Sequence, residues 1–129
     1  MPRKKSLVLT DHELRLMEVL WAKGRATVSE VTEALPAPVL AYNTVLSTMR
    51  TLEQKGHVAH EEAGRAFTFR PLVKRTDAAK SAVNHVLARF FQNSPNALAV
   101  TLLDDVPLGD SDREQIRQLL ERKKVKVQN

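Results

Sequence analysis

The apolar pattern of this 129-residue chain changes period near its middle, and that change limits the folds open to it. Before residue 57, apolar side chains recur at helical spacing in three blocks separated by glycine and proline. Just after it they alternate along two short runs, the period of a strand. Thr10-Asp11-His12-Glu13 is a capping box: the threonine hydroxyl serves the third helical N–H, and Glu13 reaches back to the threonine N–H. It opens a helix to about Lys23 that should turn Leu14, Met17, Leu20 and Trp21 inward and end at Gly24. Thr27-Val28-Ser29-Glu30 repeats the signature and opens a short helix through Leu35, with Val28, Val31 and Leu35 inside. Pro36 and Pro38 stop it, because proline disfavours helical backbone in the residue before it.

Residues 41–57 make the third helix. At about 100° per residue, Val45, Met49 and Leu52 line one side, with Leu46 at its edge. The opposite side collects Asn43, Ser47, Arg50 and Gln54, flanked by Thr44 and Thr51. Gly56 can take the left-handed conformation that closes a helix, and Lys55 suits the negative end of the helix dipole. Short hydroxyls, amides and a guanidinium on an exposed face can hydrogen-bond base edges and phosphates in a DNA major groove. The second and third helices, joined by a proline turn, form a helix-turn-helix.

The alternating runs are residues 57–61 and 66–70, with 62–65 as their turn. Val58, Phe67 and Phe69 can cover the helices, while Arg65 and Arg70 face solvent or phosphate. His57 and His60, three apart in a strand, would lie on opposite faces, which suits solvent or phosphate contact and not a shared metal. A hairpin placed after the third helix is a wing. The expected fold is mainly α with a small β-hairpin wing: a winged helix-turn-helix over 1–75, then a three-helix dimerisation region over 76–129.

That second region is helical in pattern. Val83, Val86, Leu87, Phe90 and Phe91 form a wide stripe over 77–92, and Asn93-Ser94-Pro95 breaks it and caps a segment carrying Leu98, Leu102 and Leu103. Ser111-Asp112-Arg113-Glu114 reads as a third capping box, opening a helix with Ile116, Leu119 and Leu120 and the basic tail Arg122-Lys123-Lys124-Val125-Lys126. Helices this short and few struggle to bury their faces alone. Packing against a second copy solves the problem, and two-fold dimers are the commonest oligomers. Val83, Val86, Leu87, Phe90, Phe91, Leu98, Leu102, Ile116, Leu119 and Leu120 are the expected dimerisation residues.

Charge points to a polyanion. Lys and Arg outnumber Asp and Glu by 20 to 15, and residues 1–75 hold 12 basic and 8 acidic side chains, or +4. The alternative, a winged helix for protein contacts without specific DNA binding, would fit a weaker or negative charge there. The basic arm Arg3-Lys4-Lys5 offers a further phosphate contact. With no cysteine, disulfides, thiolate clusters and thiol catalysis are excluded. No apolar run reaches the roughly 18 residues of a membrane span, and no apolar segment follows the basic start, so a cytoplasmic protein is expected. His12 and His85 lack a carboxylate and nucleophile at a telling spacing. Asp104, Asp105, Asp110 and Asp112 lack the spacing and glycine of a calcium loop. No enzyme activity, metal or cofactor is expected.

Three strings, LTDHELRLMEVLWAKGRATVSEVTEAL, YNTVLSTMRTLEQKGHV and GRAFTFRPLV, resemble the penicillinase-repressor family of bacterial regulators (the BlaI/MecI/CopY group), and the likeness spans nearly the whole chain. The resemblance implies a homodimeric winged-helix repressor that binds a palindromic double-stranded DNA operator and leaves it on induction. It places Asn43, Thr44, Ser47 and Arg50 in the groove and 77–124 in the dimer; Thr51, Gln54 and Arg65 complete the expected DNA-binding set. It also implies a membrane-bound metalloprotease sensor, or its signalling pathway, as a partner. Two departures stand out. The C-terminal cysteine cluster of copper-responsive members is missing, which disfavours metal sensing of that type. The Asn-Phe bond cut in β-lactam-resistance regulators is also missing, and 95–103 reads Pro-Asn-Ala-Leu-Ala-Val-Thr-Leu-Leu. A releasing cut would be expected between Ser94 and Thr101.

Overall fold

A computed structural model describes residues 8–105 and 107–128 and, of Ala63 and 123–128, the backbone alone. The Arg3-Lys4-Lys5 arm lies outside the described residues. In order come α1 (Asp11–Lys23), β1 (Ala26–Thr27), α2 (Val28–Ala34), α3 (Tyr42–Gln54), β2 (Val58–Ala63), β3 (Ala66–Pro71), α4 (Arg75–Phe90), α5 (Pro95–Asp105) and α6 (Asp110–Gln128). This is a winged helix followed by further helices.

Both early capping boxes close as the sequence predicts. Glu13 N–H donates to Thr10 Oγ1 at 3.2 Å while Thr10 N–H donates to Glu13 Oε1 at 2.9 Å. Thr27 and Glu30 repeat the exchange at 3.1 and 2.8 Å. Gly24, at φ 85°, ends α1 with its N–H on the Leu20 carbonyl. Gly56, at φ 84°, ends α3. Gly56 N–H donates to Glu53 O, and His57 N–H to Leu52 O, a pair of bonds that turns the chain sharply into β2.

The core joins Leu16, Met17 and Leu20 of α1 to Val31 of α2, to Val45, Met49 and Leu52 of α3, and to Val58 and Phe69 of the sheet. Four sequence expectations are corrected here. Leu14 does not point inward: it is 41% exposed. The buried stripe of α1 is Glu13, Leu16, Met17 and Leu20, spaced i, i+3, i+4, i+7, with Val19 beside it and Trp21 only partly covered. His57 is fully buried instead of meeting solvent or phosphate, because the turn at Gly56 directs it inward before β2 begins. Phe67 does not cover the helices: it shares a face of β3 with Phe69 but lies nearer the wing turn, where it is 44% exposed while Phe69 is buried. Ser111 lies inside α6, which starts at Asp110 with Arg113 N–H on Gly109 O, so the third capping box does not form.

The sheet is antiparallel with order β1-β3-β2. β2 and β3 pair from Val58↔Pro71 to Ala63↔Ala66, so only Gly64 and Arg65 form the turn, with Gly64 at φ 67°. The sequence does not reveal β1, whose Ala26 and Thr27 pair with Phe69 and Thr68.

The chain forms two compact units, one ending at Val86 and one starting at Leu87, a division that falls within α4. In the second unit Gln92 and Asn93 take positive φ, and Asn93 N–H donates to Leu87 O as α4 closes. Ser94 then caps α5, its Oγ accepting from Ala97 N–H at 3.1 Å. None of the described side chains from Leu87 to Arg122 is buried. Among the described residues no helix is long and apolar enough to cross a membrane.

Candidate nucleic-acid interface

α3 is held on its apolar side and open on the other. Val45, Met49 and Leu52 have no solvent exposure, whereas Asn43, Ser47, Arg50, Thr51 and Gln54 are exposed and Thr44 is half-buried. Two hydroxyls on the open face already donate within the helix: Ser47 Oγ to Thr44 O and Thr51 Oγ1 to Ser47 O, both at 3.1 Å. Held this way, they offer lone pairs outward and suit the amino groups of cytosine or adenine.

Several ties fix this face in space. Lys55 at the end of α3 grips Glu13 at the start of α1, with Nζ 2.9 Å from Oε1 and 2.8 Å from Oε2. Burial pushes the Glu13 carboxyl up, but the Lys55 ammonium and the Thr10 donors outweigh it and hold the carboxyl below its ordinary value. Arg15 of α1 donates to the carbonyls of Pro36 and Pro38, pinning the turn between α2 and α3. Trp21 Nε1 donates to Val73 O at 2.9 Å, and the Arg75 guanidinium lies 4.8 Å from the Trp21 ring centre while bonding Glu18. His60 Nδ1 bonds Glu53 of α3, and the His60 ring sits 4.8 Å from that of Phe67. The wing is thereby tied to the C-terminal end of α3.

Arg65 stands exposed in the wing turn, and Arg70 is spent on Glu61, Nε to Oε1 at 3.3 Å. The structure brings Arg50 and Arg65 to one cleft of about 310 Å³ between α3, the wing and the start of α2. Thr27, Ser29, Tyr42 and Phe67 also line it. Sequence reasoning did not pick out Ser29 and Tyr42; their signal was only a hydroxyl near a helix start. Asn43, Thr44, Ser47, Thr51 and Gln54 line the neighbouring, open side of α3. Among the described residues no three His, Asp or Glu side chains gather as a metal site.

The family model of the penicillinase repressor matches residues 9–122. The penicillinase repressor of Bacillus licheniformis is 25% identical over 122 residues, covering 94% of this chain and 95% of that protein. The solution structure of the DNA-binding domain of the repressor BlaI matches with a TM-score of 0.52 and 28% identity, over 58% of this chain and 93% of that one. A multiple antibiotic-resistance repressor (MarR) from Listeria monocytogenes, 18% identical with a TM-score of 0.51 over 96% of this chain and 78% of its own, shares the fold. Helices, wing, open recognition face and family match agree: the chain belongs to the penicillinase repressor family of DNA-binding winged-helix regulators.

Proposed function

We propose that this protein is a sequence-specific transcriptional repressor that binds a palindromic operator as a homodimer, placing α3 in the major groove. The observation that carries the reading is the two-sided character of α3. One side is sealed into the core, and the other presents Asn43, Ser47, Arg50, Thr51 and Gln54 to solvent with Thr44 at its edge. Asn43 can pair with adenine through two hydrogen bonds, and Arg65 can neutralise a phosphate. The dimer is assigned to the apolar side chains beyond the wing. Val83, Phe90, Leu102, Leu119 and Leu120 are all exposed, and a second copy would cover them. Val86, Leu87, Phe91, Leu98 and Ile116, each half-buried, complete that surface. Linking two wings raises affinity about 100-fold or more when the half-site spacing fits. Release then follows from loss of the dimer, through proteolysis signalled by a membrane-bound metalloprotease sensor or through another signal.

The test is a gel shift and footprint on the DNA upstream of the protein's own gene, with sedimentation alongside. A two-fold symmetric footprint is expected, with Asn43→Ala weakening specific binding by about 1 to 3 kcal/mol and leaving random DNA unaffected. Equal loss on specific and random DNA for both Asn43→Ala and Ser47→Ala would overturn the assignment of α3. A monomer with unchanged tight binding would overturn the dimer.

A further inference from the structure

We infer that Arg50 and Arg65 close on one and the same backbone phosphate, so that Arg50 anchors the recognition helix and does not read a base. The inference rests on the DNA-binding reading above and deepens it. From its sequence position alone, Arg50 could donate to a guanine or to a phosphate. The cleft decides between them. Tyr42, Leu46 and Arg50 follow one another at i, i+4 and i+8, and all three line the cleft beside the wing. Ser47 and Thr51 lie roughly 60° and 100° further round α3 and Asn43 two turns nearer its start, and none of the three lines the cleft. Arg50 therefore stands at the edge of the exposed face nearest the wing.

The chemistry of the cleft is that of an anion seat. It carries two guanidinium groups and the hydroxyls of Thr27, Ser29 and Tyr42, and no carboxylate lines it. Arg70, Arg75, Arg117 and Lys55 are each paired with a glutamate. Arg50 and Arg65 have no such partner among the described residues, although they share a cleft of only about 310 Å³. Two like charges lining one cleft repel until an anion comes between them, and a tetrahedral phosphodiester offers each guanidinium an oxygen. Arg50 comes from the rigid recognition helix and Arg65 from the wing turn, so a shared phosphate would set how deep α3 sits in the groove. Base discrimination then falls to Asn43, Ser47 and Gln54.

The experiment uses the full-length protein and an operator selected by the protein from random duplexes, with a single methylphosphonate placed at each backbone linkage in turn. Wild type, Arg50→Gln, Arg65→Gln and the double variant are compared, each checked for an unchanged circular dichroism spectrum. One linkage per half-site should, when neutralised, weaken wild type about tenfold, weaken each single variant less, and leave the double variant unaffected. The double variant should lower the slope of log affinity against log salt by about 0.9 per half-site, the value for one phosphate, and not about 1.8. Substituting 7-deazaguanine along the site should weaken Arg50→Gln as much as wild type. If the two variants lose sensitivity at different linkages, or Arg50→Gln alone becomes blind to one guanine, the shared phosphate is overturned and the repressor reading stands. If no duplex is selected over another, both fall.

Discussion

Leu52 on α3 and Leu120 on α6 are both leucines of amphipathic helices, yet Leu52 is wholly buried and Leu120 is 63% exposed. Leu52 belongs to a unit with two layers, in which three helices lie against a small sheet and each supplies an apolar stripe. Leu120 belongs to a unit of helices without a sheet, where no described side chain is buried. The difference is one of supply. Up to Val86 the chain provides both sides of its own core. From Leu87 it provides one side, and a second copy is the proposed source of the other.

Truncating one leucine in each unit should separate the two cases most strongly. Leu20→Ala should lower the stability of the first unit by about 2 to 5 kcal/mol, because the cavity cannot close among Met17, Val31 and Met49. Trp21, the only tryptophan, sits beside it and reports unfolding in urea by its fluorescence. Leu120→Ala should leave that fluorescence midpoint in place and raise the dimer dissociation constant in sedimentation by about tenfold or more. A Leu120→Ala protein whose Trp21 midpoint falls as far as that of Leu20→Ala would show that the two units share a core.

The first unit was the more legible in sequence, for local reasons. Thr10 with Glu13 and Thr27 with Glu30 announce helix starts within four residues, and the glycine after α3 announces its end. What escaped depends on distant partners. β1 is two residues long and exists only because Phe69, some forty residues on, pairs with Ala26. His57 read as a strand surface residue, but the turn at Gly56 is what sends it inward. On α3, period alone picked out Asn43, Ser47, Arg50 and Gln54. The cleft of Ser29, Tyr42, Arg50 and Arg65 was not visible, since it needs three separate segments brought together. In the second unit the Ser111 box misled because Gly109 and Asp110 start the helix two residues earlier than the motif implies.

Within the first unit the ion pair between α1 and Lys55 contributes less than the core. Glu13→Gln should cost about 1 to 3 kcal/mol, because it leaves Lys55 facing a neutral amide and weakens the tie between α1 and α3. The carboxyl is held below its ordinary value of 4.5, so its contribution is complete above that pH and is lost as pH falls through the lower folded value. Urea midpoints of wild type and Glu13→Gln should differ at pH 7, and the gap should narrow as pH falls below 4.5. A gap that persists undiminished in acid would mean that packing, not charge, carries the effect.

The smallest change tests the second unit through its cap. Ser94 Oγ accepts from Ala97 N–H, but the residue at that third position is alanine and returns nothing, whereas Glu13 and Glu30 complete their boxes. Ser94 N–H turns instead to Phe91 O at 2.8 Å. The start of α5 is therefore held from one side, in a unit that buries little. Ser94→Ala should cost about 1 kcal/mol per chain. If α5 gains its order on pairing, both chains bear that cost when the dimer forms, and the dissociation constant rises by about 30-fold. The Trp21 midpoint should stay where it was, because Ser94 lies outside the unit that Trp21 reports. Sedimentation across a concentration series, beside urea titration of the same samples, reads both quantities. An unchanged dissociation constant together with reduced helical content in the dilute protein would show that α5 is folded before pairing, and the second unit would then need its partner for burial but not for structure.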